Sequence, residues 1–104
     1  MDFIIKSNES VVTIARSIGY VIIDANGIEY NLVRKLLGAN YPRFHVYLKQ
    51  QGDRYNFSLH LDQKQPSYSG SHAHSGEYDG PLVEGEADRI RQQLNVILNF
   101  KFTI

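Results

Sequence analysis

Between Phe44 and Asp62 the chain alternates with a period of two: Phe44, Val46 and Leu48 are apolar in one run, and Tyr55, Phe57, Leu59 and Leu61 in the next. Such alternation gives each strand one face in a core and one face outside it. Gln51-Gly52-Asp53-Arg54 supplies turn chemistry between the runs, and a two-residue Gly52-Asp53 turn or a four-residue one predicts the same register. Phe44 then faces Leu61, Val46 faces Leu59 and Leu48 faces Phe57. Two further β-rich runs, Tyr20 to Asp24 and Ile28 to Arg34, flank Ala25-Asn26-Gly27, whose Asn-Gly pair tolerates the positive φ of a tight hairpin. Phe3-Ile4-Ile5 suggests a first strand. Ser7 to Ser10 offers capping side chains ahead of Val11, Val12, Ile14, Ala15 and Ile18, which recur at helical spacing up to Gly19. Leu36 to Pro42 punctuates the middle of the chain, with Pro42 excluding a continuing helix.

Residues 63–81 have no periodicity and are rich in Ser, Gly and His; an irregular stretch longer than ~15 residues is unusual in a compact domain and more often functional or mobile than inert. A helix is expected from Pro81, with Val83, Ala87, Ile90, Leu94, Ile97 and Leu98 on one stripe, Asp79 placed to cap it, and Glu84, Glu86 and Asp88 near the positive end of its dipole. The tail from Phe100 to Ile104 alternates apolar and polar, which fits either an edge strand or a longer apolar stripe. The order of helix, strands and helix predicts an α+β fold, an antiparallel β-meander with two helices packed on one face.

Composition narrows the function. With 104 residues and 42% hydrophobic side chains, a single domain (1–104) is expected to bury a sufficient core without staples. The absence of cysteine excludes disulfides, thiolate metal sites and cysteine nucleophiles. Eleven basic and eleven acidic side chains cancel, which argues against binding driven by phosphate neutralisation over the whole surface while leaving room for a local patch. No run approaches the ~20 apolar residues of a membrane span, and the first residues lack the pattern of a signal peptide, so no membrane association and a cytoplasmic address are expected. Phosphate-loop, dinucleotide-binding, nucleophile-elbow and EF-hand motifs are all missing from the sequence.

The candidate chemistry lies on the non-core face of the Phe44–Asp62 hairpin, which carries His45, Tyr47 and Lys49 on one strand and Asn56, Ser58, His60 and Asp62 on the other. The predicted register sets His45 opposite His60, and cross-strand neighbours have Cβ atoms about 5 Å apart, close enough to share a metal or a proton. His72 and His74 lie in the irregular segment with Glu77, and three or four imidazoles plus this carboxylate would suit zinc, manganese or nickel. Metal ligation by His45, His60, His72, His74 and Glu77 competes with metal-free acid–base chemistry and with a quiet, half-exposed sheet face. Arg43, Lys49, Arg54 and Lys64 are candidates for an anion-binding patch. Tyr47 and Tyr78 are candidate ligand-contacting aromatics.

Tyr41-Pro42-Arg43-Phe44-His45, Leu59-His60-Leu61-Asp62-Gln63-Lys64, Pro66-Ser67-Tyr68 and Ala73-His74-Ser75-Gly76-Glu77-Tyr78-Asp79-Gly80 resemble a family of small bacterial proteins that brings no activity with it; the likeness covers about half of the chain. In layout the chain is also similar to HicA-type toxins, small ribonucleases on a double-stranded-RNA-binding-like fold. That resemblance implies a role in RNA cleavage for a strand histidine, here His45, although Phe44 stands where the family's first histidine would align.

Three functions are therefore carried forward. The first is an RNA-directed protein cleaving phosphodiesters, with His45 and His60 as general base and acid and Arg43 or Lys49 holding phosphate. The second is a non-catalytic module that binds a divalent metal or a cognate protein through residues 63–81. The third is a homodimer joined through the tail from Phe100.

Overall fold

The computed structural model describes residues 1–64, 76, 77 and 79–103, with side chains through Lys64 and from Asp79 to Asn95. The elements run β1 (Asp2–Lys6), α1 (Val11–Ile18), β2 (Val21–Asn26), β3 (Glu29–Lys35), β4 (Arg43–Gln51), β5 (Arg54–Asp62), β6 (Gly76–Glu77) and α2 (Pro81–Thr103). β2 to β5 form the expected antiparallel meander. β1 joins it at the far side, against β5, so the strand order is β1-β5-β4-β3-β2 and α1 carries the chain from one edge to the other. β1 covers β5 at residues 54–58 and β6 covers the same edge at Leu61 and Asp62.

The two tight hairpins, β2–β3 and β4–β5, each turn on a left-handed glycine. In the β4–β5 hairpin Gln51 pairs with Arg54, leaving Gly52-Asp53 as the two-residue turn with Gly52 at φ 62°. The β2–β3 turn departs from expectation: Asn26 stays in the ladder opposite Glu29, and the turn is Gly27-Ile28, with Gly27 alone left-handed at φ 64°. A glycine in the first turn position meets the twist requirement by itself, so no second left-handed residue is needed.

α1 begins where the Ser10 hydroxyl accepts from the Thr13 amide at 3.2 Å and ends at Gly19 in the left-handed conformation. α2 begins with the Gly80 carbonyl accepting from the Glu84 amide, so Gly80 occupies the capping position expected of Asp79, whose side chain makes no hydrogen bond among the described residues. The helix runs through Thr103, which settles residues 100–103 as helical rather than as an edge strand. Among the described residues no helix is long and apolar enough to cross a membrane.

Both helices pack on one face of the sheet. Ile14, Ala15 and Ile18 of α1 and Val83, Ala87, Ile90 and Leu94 of α2 share one core with the even-numbered apolar residues of β4 and the odd-numbered ones of β5. Phe3 of β1 stacks on Phe57, ring centroids 5.0 Å apart. Glu86, which was expected only to favour the helix dipole, is buried. It accepts from Tyr20 Oη at 2.6 Å, from Arg34 Nε and Nη2 at 3.0 and 2.8 Å, and from Arg89 Nε and Nη2 at 2.8 Å each, tying α2 to β3 and to the chain leaving α1. Burial alone would raise the Glu86 pKa, but hydrogen bonds from Arg89, Arg34 and Tyr20 outweigh it and hold the value at about 2. With both helices committed to this side, the opposite face of the sheet is left for the histidines.

Candidate functional site

The β4–β5 ladder has the predicted register: Phe44 pairs with Leu61, His45 with His60, Val46 with Leu59 and Leu48 with Phe57. Because Phe44 and Val46 are held in the core, His45 must project to the face away from the helices, and His60 with it. The two rings lie 4.7 Å apart between centroids and are tilted by 44°.

A half-exposed, solvated position is not what the structure shows for either ring. His45 is 8% exposed and His60 6%. Part of that cover comes from Tyr47, whose ring is 4.5 Å from His45 and 5.5 Å from His60. Val33, buried and paired with His45 across the β3–β4 ladder, adds apolar cover, and the other contacts are polar. Asp62 spans both imidazoles, with Oδ2 3.2 Å from His45 Nδ1 and Oδ1 2.9 Å from His60 Nε2. Arg43 Nε approaches the same Oδ2 at 3.4 Å, and the Arg43 guanidinium lies 4.6 Å above the Tyr41 ring. On the other side of His45, Asn31 Oδ1 sits 3.0 Å from Nε2.

Burial would raise the Asp62 pKa, yet hydrogen bonds from His45 and His60, reinforced by their charges, hold this carboxyl well below the usual carboxylate range. Asp62 is therefore a standing anion facing two imidazoles. His45 has an oxygen next to each ring nitrogen. That arrangement suits an imidazolium donating to both oxygens or, with a cation between Nδ1 and Asp62, a neutral ring that keeps its proton on Nε2 for Asn31.

The second form is that of a metal ligand. One ligand atom from each of His45, His60 and Asp62 lies within 4.8 Å of the others. Four ligands at ~2.0–2.1 Å around a tetrahedral ion stand roughly 3.3 Å apart, and each ring nitrogen already lies 2.9 or 3.2 Å from one of the two Asp62 oxygens, His60 from Oδ1 and His45 from Oδ2. Asn31 completes the pattern, since a ligating histidine characteristically donates its other ring N–H to a fixed acceptor.

The remaining candidates fall elsewhere. Lys49 pairs with Glu29 at 3.7 Å, and Lys64 is exposed. Arg54 is the first residue of β5, next to the hairpin turn and at the opposite end of the strand from His60. His72, His74 and Tyr78 lie outside the described residues. Glu77 is placed by its backbone alone: it stands opposite Leu61, and the position beside Asp62 is taken by Gly76. Beyond Tyr47, the same face opens into a groove of about 890 Å³ whose lining includes Asp2, Ile4, Glu29, Lys49, Asn56 and Ser58.

No protein-family model, curated protein or solved structure matches this chain. The arrangement of side chains is therefore the ground for any functional reading.

Sequence reasoning placed Asp62 on the histidine face without giving it a role, and it missed Asn31. For Asp62 the signal was there: His60-Leu61-Asp62 puts a histidine and an aspartate on one face of one strand, with Arg43 opposite the aspartate. Asn31 is reachable only through the β3–β4 register, in which Val33 pairs with His45 and Asn31 with Tyr47.

Proposed function

We propose that this protein is a small divalent-metal-binding module that holds zinc or manganese between His45 Nδ1, His60 Nε2 and Asp62. The observation that carries this reading is Asp62 spanning two buried imidazoles, with Asn31 fixing the far side of one of them. Two imidazoles and a carboxylate, with no thiolate, match the preferences of these ions, and three protein ligands leave a coordination position for water or a further ligand.

The test is metal content of protein purified without a histidine tag, together with thermal melting before and after a chelator. Near-stoichiometric metal is expected, and at a free-ion concentration a hundred times the dissociation constant it adds about 2.7 kcal/mol to stability. His60→Ala should lose both the metal and the chelator response. Protein that takes up no zinc or manganese and melts identically with and without chelator refutes the reading.

A second reading, RNA phosphodiester cleavage with His45 and His60 as base and acid, draws support from the 4.7 Å ring pair beside Arg43. It is the weaker of the two, because an acid–base pair must come within about 3 Å of the ribose and leaving oxygens, and both rings are buried with nitrogens turned to Asp62. RNA cleavage that persists in chelator and is lost in His45→Ala would reverse that order.

A further inference from the structure

Charge balance at the site points beyond the metal itself. The divalent ion brings two positive charges, Asp62 returns one negative charge, the two imidazoles bind as neutral ligands, and Arg43 adds a positive charge whose Nε is 3.4 Å from the Asp62 carboxylate. The loaded cluster carries two net positive charges where His45 and His60 are under 10% exposed and the side chains of Asp62 and Arg43 are 17% and 19% exposed. Excess charge with this little access to water is expensive unless a counter-charge accompanies it. None of the other acidic side chains among the described residues forms an ion pair with Arg43 or with either histidine: Glu29 is paired with Lys49, Asp53 with Lys6 and Asp88 with Arg91, and Glu86 lies in the core. On the histidine face Asp24 stands opposite Asn31 and Asp2 opposite Ser58, each one residue removed from the cluster.

Arg43 is equipped to receive that counter-charge. Its contact with Asp62 uses Nε, its plane lies over Tyr41, and its two terminal amino groups donate to no side chain among the described residues. A guanidinium presents a rigid fork of donors that matches an oxyanion in two-point geometry. The metal, bound by three protein ligands, has a position left to fill on the same cluster.

We infer that the metal-loaded site takes up an oxyanion, a phosphoryl or carboxylate group, shared between the metal's free position and the terminal amino groups of Arg43. This rests on the metal reading above. It makes binding of the metal and of the anion mutually reinforcing, since each supplies charge that the other needs.

The experiment is a titration with cobalt(II), followed by its visible absorption, in chloride buffer alone and with inorganic phosphate, a nucleoside monophosphate or acetate added. Wild type should bind cobalt about tenfold more tightly in the presence of the preferred anion. A phosphate ester that exceeds inorganic phosphate would identify an organic phosphate as the natural source, and acetate in first place would identify a carboxylate. Arg43→Gln, which also removes a partner of the Asp62 ligand, is read by the ratio of its cobalt affinities with and without anion: that ratio should fall to one, whatever its affinity in chloride. Arg43→Lys, which keeps the charge but not the fork, should retain only part of the anion effect. Cobalt binding that is indifferent to every anion in wild type, or equally enhanced in Arg43→Gln, overturns the inference while leaving the metal reading intact. Failure to bind cobalt, zinc or manganese at all defeats the metal reading and this inference together.

Discussion

Replacing Glu86 by glutamine removes one charge from the centre of a buried cluster and changes little in shape. The carboxylate is 2% exposed and accepts five hydrogen bonds, four of them from two guanidinium groups. In Glu86→Gln two arginines face a neutral amide that has a single acceptor oxygen and donors of its own. Breaking a buried ion pair in this way costs about 3–5 kcal/mol.

Proton linkage gives a second route to the magnitude. The Glu86 carboxyl falls from an ordinary value of 4.5 to about 2 on folding, and at about 1.4 kcal/mol per pKa unit this contributes on the order of 3 kcal/mol. Because the folded-state pKa is the lower one, that stability is present above about pH 4.5 and is lost as the pH falls towards 2. Urea unfolding of wild type and Glu86→Gln near neutral pH should therefore show a loss of about 3 kcal/mol at unchanged m-value, out of the 5–15 kcal/mol typical of a domain. Repeated in acid, the gap between the two proteins should shrink as wild type protonates the same carboxyl. A loss below about 1 kcal/mol at neutral pH, or a gap that stays constant into acid, would refute the assignment of Glu86 as the charged centre that locks α2 to β3.

Two further outcomes follow from the histidine face and the core beneath it. Asn31→Ala should weaken metal binding about 10–100-fold by calorimetry, the usual effect of removing the partner of a ligating histidine, with the fold kept by circular dichroism; unchanged affinity would free His45 from Asn31. Leu59→Ala, at a fully buried position opposite Val46, should cost about 2–5 kcal/mol in urea unfolding, and a cost under about 1 kcal/mol would mean that the sheet core collapses around the lost side chain.

The β4–β5 hairpin was legible because period-two alternation on both strands leaves one register that keeps every apolar residue on one face. The meeting of His45 and His60 follows from that register. Their burial does not, because a pattern states which face a residue takes and not what covers it; Tyr47 and Asp62 close around the rings by contacts that no period encodes. Asn31 stayed hidden for a related reason. The connection from Leu36 to Pro42 carries no turn signature that fixes how β3 meets β4, and a shift of two residues would have preserved the alternation. Glu86 looked like a surface acid at the start of a helix, since its two arginine partners include one 52 residues away on β3. The Asn26-Gly27 signal gave the hairpin correctly and its turn one residue early, because a single left-handed glycine suffices. Placement of β1 beside β5 is a long-range choice between two open edges, invisible to local pattern.

That placement of β1 bears on the order in which the chain assembles. β2 to β5 are joined by consecutive antiparallel pairings, so each new strand closes a short loop onto one already in place. β1 pairs Phe3 with Phe57, across more than half of the sequence, and its partner edge exists only once the β4–β5 hairpin has formed. Closing the longer loop costs more chain entropy than any hairpin step, and the cost is recovered only when the ring stack and the edge hydrogen bonds form together. Folding is thus expected to proceed from the middle of the chain outward, with the histidine pair aligned by the central hairpin before the amino-terminal strand seals the sheet.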